Sequence, residues 1–163
     1  TGGSAAPSGR IAFVTSEART ADLGGIEGAD ALCAAEASAA GLEGEFKAWL
    51  STLDSPVADR FVQSADPYVR VDGTRIADDW ADLTNGSLQA VLNLDARGVE
   101  RRSDVWTGTL PSGLAYTEVD CDGFTSGATG AALCGTTVSV NANWTANAVP
   151  TCNTLLRLFC FQQ

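Results

Sequence analysis

Leu155-Leu156-Arg157-Leu158-Phe159-Cys160-Phe161 is an apolar run broken once, by Arg157. Its odd and even positions are both apolar, so it reads as a strand buried on both faces and therefore central in its sheet. Working outward, Ile11–Val14, Phe46–Leu50 and Val105–Thr107 supply further strand candidates. The clearest local signal lies in Tyr68–Ile76, where two alternating stretches flank Asp72-Gly73 and predict a hairpin with a type I′ turn. A helix is predicted from about Glu27 to Ala40. Ile26, Ala29, Leu32, Cys33 and Ala37 recur there at three- and four-residue steps, which puts Cys33 on the buried face, and Gly41 is a natural stop. Ser55-Pro56 reads as the start of a second helix over Val57–Gln63, with Ser55 as cap and Pro56 in the first turn. Between Leu110 and Pro150 the chain is rich in Gly, Thr, Asn and Ala with little periodicity, the mark of a long functional loop or a structured excursion.

The chain has 163 residues, enough for one ordinary core, and no composition shift marks a second domain. Thr1–Gly9 has the Gly, Ser and Ala content of a flexible spacer, which leaves 10–163 as one α+β domain. Twenty acids face nine Arg and a single Lys, Lys47, for a net charge of −10. That balance opposes binding to phosphate backbones or anionic lipid, so no nucleic acid is expected as partner. No run is long enough to span a bilayer as a helix, and the absence of Met suggests a secreted chain whose targeting segment has been removed. Cys33, Cys121, Cys134, Cys152 and Cys160 are too scattered for a zinc knuckle, and there is no His. Disulfides are the better reading, with one thiol left over, either buried and inert or available for a bond between chains.

Catalysis through Ser-His-Asp or Cys-His is impossible without His, and a Ser-Lys variant would have to use Lys47, which lies in an apolar strand with Phe46 and Trp49. Gly24, Gly25 and Gly28 form GGxxG about ten residues past the first strand, which does not fit a dinucleotide turn. A hydrolase built on a carboxylate pair stays open, although no spacing singles one out. Asp120, Asp122 and Gly123 resemble a calcium loop in miniature, but the next alternate position is Phe124, where an oxygen ligand is needed. They are weak calcium candidates, and no other cofactor is expected. Asn141, Asn143, Trp144, Thr145 and Asn147 place amides and a hydroxyl around an indole, a chemistry suited to hydrogen-bonding sugar hydroxyls while the ring stacks on a sugar face. The alternative there is a Trp that anchors the loop to the core.

These features resemble the C-type lectin-like fold, and within it the branch containing the endostatin domain of collagen and its bacterial secreted relatives. The residues that carry the resemblance are Gly28–Cys33, Lys47-Ala48-Trp49-Leu50-Ser51, Val105-Trp106-Thr107-Gly108, Cys121 with Phe124-Thr125-Ser126, and Cys152 with seven residues between it and Cys160. The resemblance covers about Arg10 to Phe161. It implies a mixed, mostly antiparallel sheet with two helices, a long loop region and nested disulfides, Cys33 to Cys160 and Cys121 to Cys152, with Cys134 as the free thiol. Calcium-dependent sugar-binding lectins carry EPN or QPD in the long loop and WND on the next strand. The loop here has neither, and Trp144 is followed by Thr145-Ala146.

The expected function is therefore a non-catalytic, secreted or cell-surface binding module that contacts a glycan or protein through the Leu110–Pro150 region. The alternative is a structural subunit that assembles as a homo-oligomer through the N-terminal tail or Cys134, and the third reading is the carboxylate-pair hydrolase.

Overall fold

The computed structural model describes residues 9–163. Of the expected spacer, Thr1–Ser8 lie outside the described residues. Seven strands and three short or medium helices form the domain: β1 (Arg10–Val14), α1 (Gly25–Ala39), β2 (Phe46–Ala48), α2 (Val57–Arg60), β3 (Tyr68–Val69), β4 (Arg75–Ala77), α3 (Trp80–Leu83), β5 (Asp104–Trp106), β6 (Cys134–Thr136) and β7 (Arg157–Gln162). The strand order is β4-β3-β1-β7-β5-β6, with β2 also paired to β7. Pairs β1·β3 and β5·β7 are parallel; β1·β7, β2·β7, β3·β4 and β5·β6 are antiparallel.

β7 is central because it has no polar face to show water. Leu158 and Cys160 enter the layer shared with α1, together with Ile11 and Phe13 of β1. Phe159 and Phe161 point the other way, into a layer with Ala12, Val14, Trp49, Tyr68 and Trp144. Arg157, the polar interruption, donates to the carbonyls of Thr15 and Ser16 at the end of β1. One edge of β7 carries β1, and the other carries β2 and then β5.

α1 buries Ala29, Cys33 and Ala37, the stripe its periodicity predicts. Gly41, at φ +75°, ends it: its N–H donates to Ser38 and that of Leu42 to Ala37, so two terminal carbonyls are satisfied. Both disulfides are formed as the resemblance implies, Cys33–Cys160 tying α1 to β7 and Cys121–Cys152 nested inside it. No described helix is long and apolar enough to cross a membrane.

Several sequence expectations are corrected. The second helix is a single turn, Val57–Arg60, and its first N–H is capped by Ser51 Oγ at 2.9 Å, because Ser55 is held in a backbone bridge with Thr52. A third helix, the one-turn α3, is not predicted by the sequence; Asp79 caps it through the N–H of Asp82. β2 stops at Ala48, short of Leu50. The hairpin exists, but its turn is not type I′: only Gly73 has positive φ, while Gly73 N–H bonds Arg70 C=O and Arg70 N–H bonds Thr74 C=O. This is a three-residue loop with a glycine bulge, in which Asp72 serves as partner to Arg70 and to the Thr74 N–H.

Candidate functional site

The Leu110–Pro150 stretch is a structured excursion. It contains β6, a 3-10 turn over Ala142–Trp144 and a tight turn over Cys121–Phe124. Its underside is fixed by a buried hydroxyl network. Thr109 Oγ1 donates to Thr107 C=O, so Ser51 Oγ, 2.8 Å away, is the donor to Thr109 and in turn accepts the Val57 N–H. Thr145 Oγ1 donates to Thr109 C=O at 2.8 Å and accepts the Trp49 indole N–H at 2.8 Å, while Thr107 Oγ1 donates to Thr145 C=O. Each of these buried hydroxyls both donates and accepts, so the network holds its backbone segments in one arrangement. Gly135 of β6 lets the loop lie this close: a Cβ there would stand 2.0 Å from the Trp144 carbonyl oxygen.

The predicted site residues divide by exposure. Trp144 and Thr145 are fully buried, and the Trp144 ring packs on Trp49 at 4.9 Å and Phe159 at 5.7 Å between centroids. The indole therefore offers no face to a sugar; it anchors the loop, drawn in by the aromatic layer beneath it. Its Nε1 is buried without a hydrogen-bond partner. Asn141 is exposed, but its Oδ1 caps the 3-10 turn, accepting from the Asn143 N–H and Ser139 Oγ. Asn143 and Asn147 are exposed and their side-chain amides bond to nothing among the described residues. Around them in the chain stand three exposed valines, Val138, Val140 and Val149. These were not predicted as site residues. Nothing in sequence marks them, because Thr137–Asn141 alternates as a half-buried strand would.

The calcium candidates are placed for structure. Asp120 spends one oxygen on the Gly123 N–H and the other on the Leu53 N–H, at 2.9 and 3.0 Å. Asp122 is exposed in a left-handed turn and its carbonyl accepts from Thr125 Oγ1. Among the described residues no group of three or more His, Cys, Asp or Glu side chains is arranged to hold a metal ion.

Cys134 is the free thiol and is fully buried in β6, where burial first and Asp104 second push its pKa up to about 11. Of the two states the sequence left open for the leftover thiol, this is the buried one, so the Cys134 sulfur is not presented at the surface for a bond between chains. Of the carboxyls, Asp30 is raised by burial, but its oxygens are held by the Ala48 N–H and by Arg60. Asp78 and Asp82 approach one another by sharing the Gln89 amide, and Asp78 is lowered by Gln89 and Arg75, the wrong direction for a general acid. No family model matches this chain.

Proposed function

We propose that this chain is a non-catalytic extracellular binding module on a C-type lectin-like, endostatin-like scaffold, and that it contacts a protein ligand through the outer side of residues 137–149. One observation carries the reading: Val138, Val140 and Val149 and the unpartnered amides of Asn143 and Asn147 are exposed along one stretch of chain that the buried Trp144 and Thr145 tie to the core. Exposed apolar groups on a rigid base bind without the ordering cost of a mobile loop. A protein is favoured over a glycan because the one aromatic ring of the predicted sugar site is buried. Two disulfides are compatible with an oxidising, extracellular setting.

The test is binding of the full chain to arrays of glycans and of secreted and surface proteins, with and without chelator. The expected result is chelator-independent binding to protein probes, weakened at least tenfold in Val138→Asp/Val140→Asp. Binding confined to glycans and lost with chelator would overturn the reading in favour of a calcium lectin.

A further inference from the structure

A groove of about 570 Å³ runs between α1 and β2, away from the loop surface. Its helical wall is made by Glu27, Ala31, Ala34 and Ser38, exposed and spaced four, three and four residues apart. From Glu27 to Ser38 a helix rises about 16 Å, the length of about five residues of extended chain. The short side chains of that wall leave room for a backbone to lie against it.

The other wall is the outer edge of β2, and its hydrogen-bond state follows from register. Trp49 N–H donates to Phe159 C=O and Gln163 N–H to Glu45 C=O, so residues 45, 47 and 49 face β7. Phe46 and Ala48 therefore turn their N–H and C=O groups outward. At Ala48 both are taken, the N–H by Asp30 Oδ1 at 2.8 Å and the C=O by Arg60 at 3.0 Å. At Gly44 and Phe46 neither the N–H nor the C=O meets a partner among the described residues, although Phe46 is only 3% exposed. Buried peptide groups are rarely left so, and a strand edge with free groups is a template for another strand. The charges agree. Glu27 and Glu45 are exposed and form no ion pair among the described residues, whereas Asp30 is paired with Arg60 and the Lys47 ammonium donates to the Arg60 carbonyl.

We infer that this groove takes an extended peptide segment of a partner protein, which adds as a strand at the Gly44–Phe46 edge and sets Lys or Arg side chains against Glu45 at one end of the groove and Glu27 at the other. Backbone pairing gives the segment its place, and the two acids select a basic one. The groove shares no residue with the 137–149 surface, so it stands or falls apart from the loop reading.

The probe is a phage-displayed library of random octapeptides, selected on the full chain. The groove is altered in two ways at exposed positions, Ala34→Arg to fill it and Glu27→Lys/Glu45→Lys to reverse its charge, with thermal melts confirming that both variants fold. The expected outcome is a pool enriched in Lys or Arg at alternate positions. The chosen peptides bind both variants at least tenfold more weakly, slow hydrogen exchange at the Phe46 N–H, and lose binding when alternate peptide nitrogens are methylated. A library that yields no enriched pool, or peptides that bind the variants or tolerate N-methylation as well as the parent, would overturn the inference.

Discussion

Asp95 holds a segment that has no regular structure. Its side chain is 2% exposed; Oδ1 accepts the N–H groups of Arg97 and Val99, and Oδ2 accepts Arg101 Nε at 3.0 Å. Burial opposes its charge, but the Val99 and Arg97 N–H groups and the Arg101 guanidinium outweigh it, and its pKa lies below the ordinary value. A carboxyl depressed in the fold stabilises above its unfolded pKa, and that contribution is lost as pH falls through the folded value. Asp72, held down to about 2 first by Arg70, has the same sign, while Asp30, raised first by burial, has the opposite one. Asp95→Asn is expected to cost about 2 kcal/mol at pH 7, because it leaves Arg101 facing an amide, and clearly less at pH 3. Urea unfolding at the two pH values measures this; an equal cost at both would mean that the charge of Asp95 is not what stabilises. Cys134 gives a second prediction at this scale. The native protein should not react with an aromatic disulfide reagent at pH 8, should release one equivalent in guanidinium, and should run as a monomer on a non-reducing gel.

Asp120 to Phe124 shows what an element can owe to its surroundings. Cys121, Asp122, Gly123 and Phe124 take φ of 54°, 56°, 68° and 60°, a left-handed turn with three non-glycine residues. Each such L-residue costs about 1–2 kcal/mol. The turn persists because Asp120 caps Gly123, the Phe124 carbonyl accepts the Leu23 N–H, the Phe124 ring meets Trp106 edge-on, and Cys121 is bonded to Cys152. Asp122 is exposed, so Asp122→Gly is expected to stabilise by about 1 kcal/mol and Asp122→Val to destabilise by a similar amount or more. Chemical denaturation gives both values, and a destabilising Asp122→Gly would show that the carboxylate has a role the hydrogen bonds do not reveal. Legibility follows the same line. β7 and α1 could be read from sequence because their burial patterns are their own: apolar on both faces in one, a three-and-four stripe in the other. The left-handed turn could not, since contacts distant in sequence hold it, and the one-turn α3 and the bulged end of the hairpin could not, since each rests on a few local hydrogen bonds in a stretch too short to show a period. Among the site residues, Asn143 and Asn147 were legible as exposed amides. Trp144 was not, because an indole among asparagines looks the same whether it faces solvent or, as here, Trp49.

At the scale of the molecule, the two disulfides divide the stability unequally. Cys33–Cys160 closes a span of 127 residues and Cys121–Cys152 one of 31. Loop entropy alone gives about 5 and about 4 kcal/mol, a small difference. Position separates them further. The outer bridge joins α1 to β7, the two elements on which one whole core layer rests, and without it α1 is held by packing and by side-chain hydrogen bonds, chiefly Asp30 to the Ala48 N–H and Glu36 to the Ser16 N–H. The inner bridge holds the left-handed turn to the segment before β7, a region that also rests on the Ala131 to Thr151 and Asp120 to Ala132 bridges. Cys33→Ala/Cys160→Ala should therefore lower the melting temperature of the whole domain. Cys121→Ala/Cys152→Ala should speed hydrogen exchange mainly across residues 119–153 and leave β1 and β7 protected. Calorimetry with exchange mass spectrometry on the two double variants measures both effects. If the inner pair instead unfolds β1 and β7 with the loop, the excursion is part of the folding core, and a surface built on it at residues 137–149 would be as rigid as the sheet.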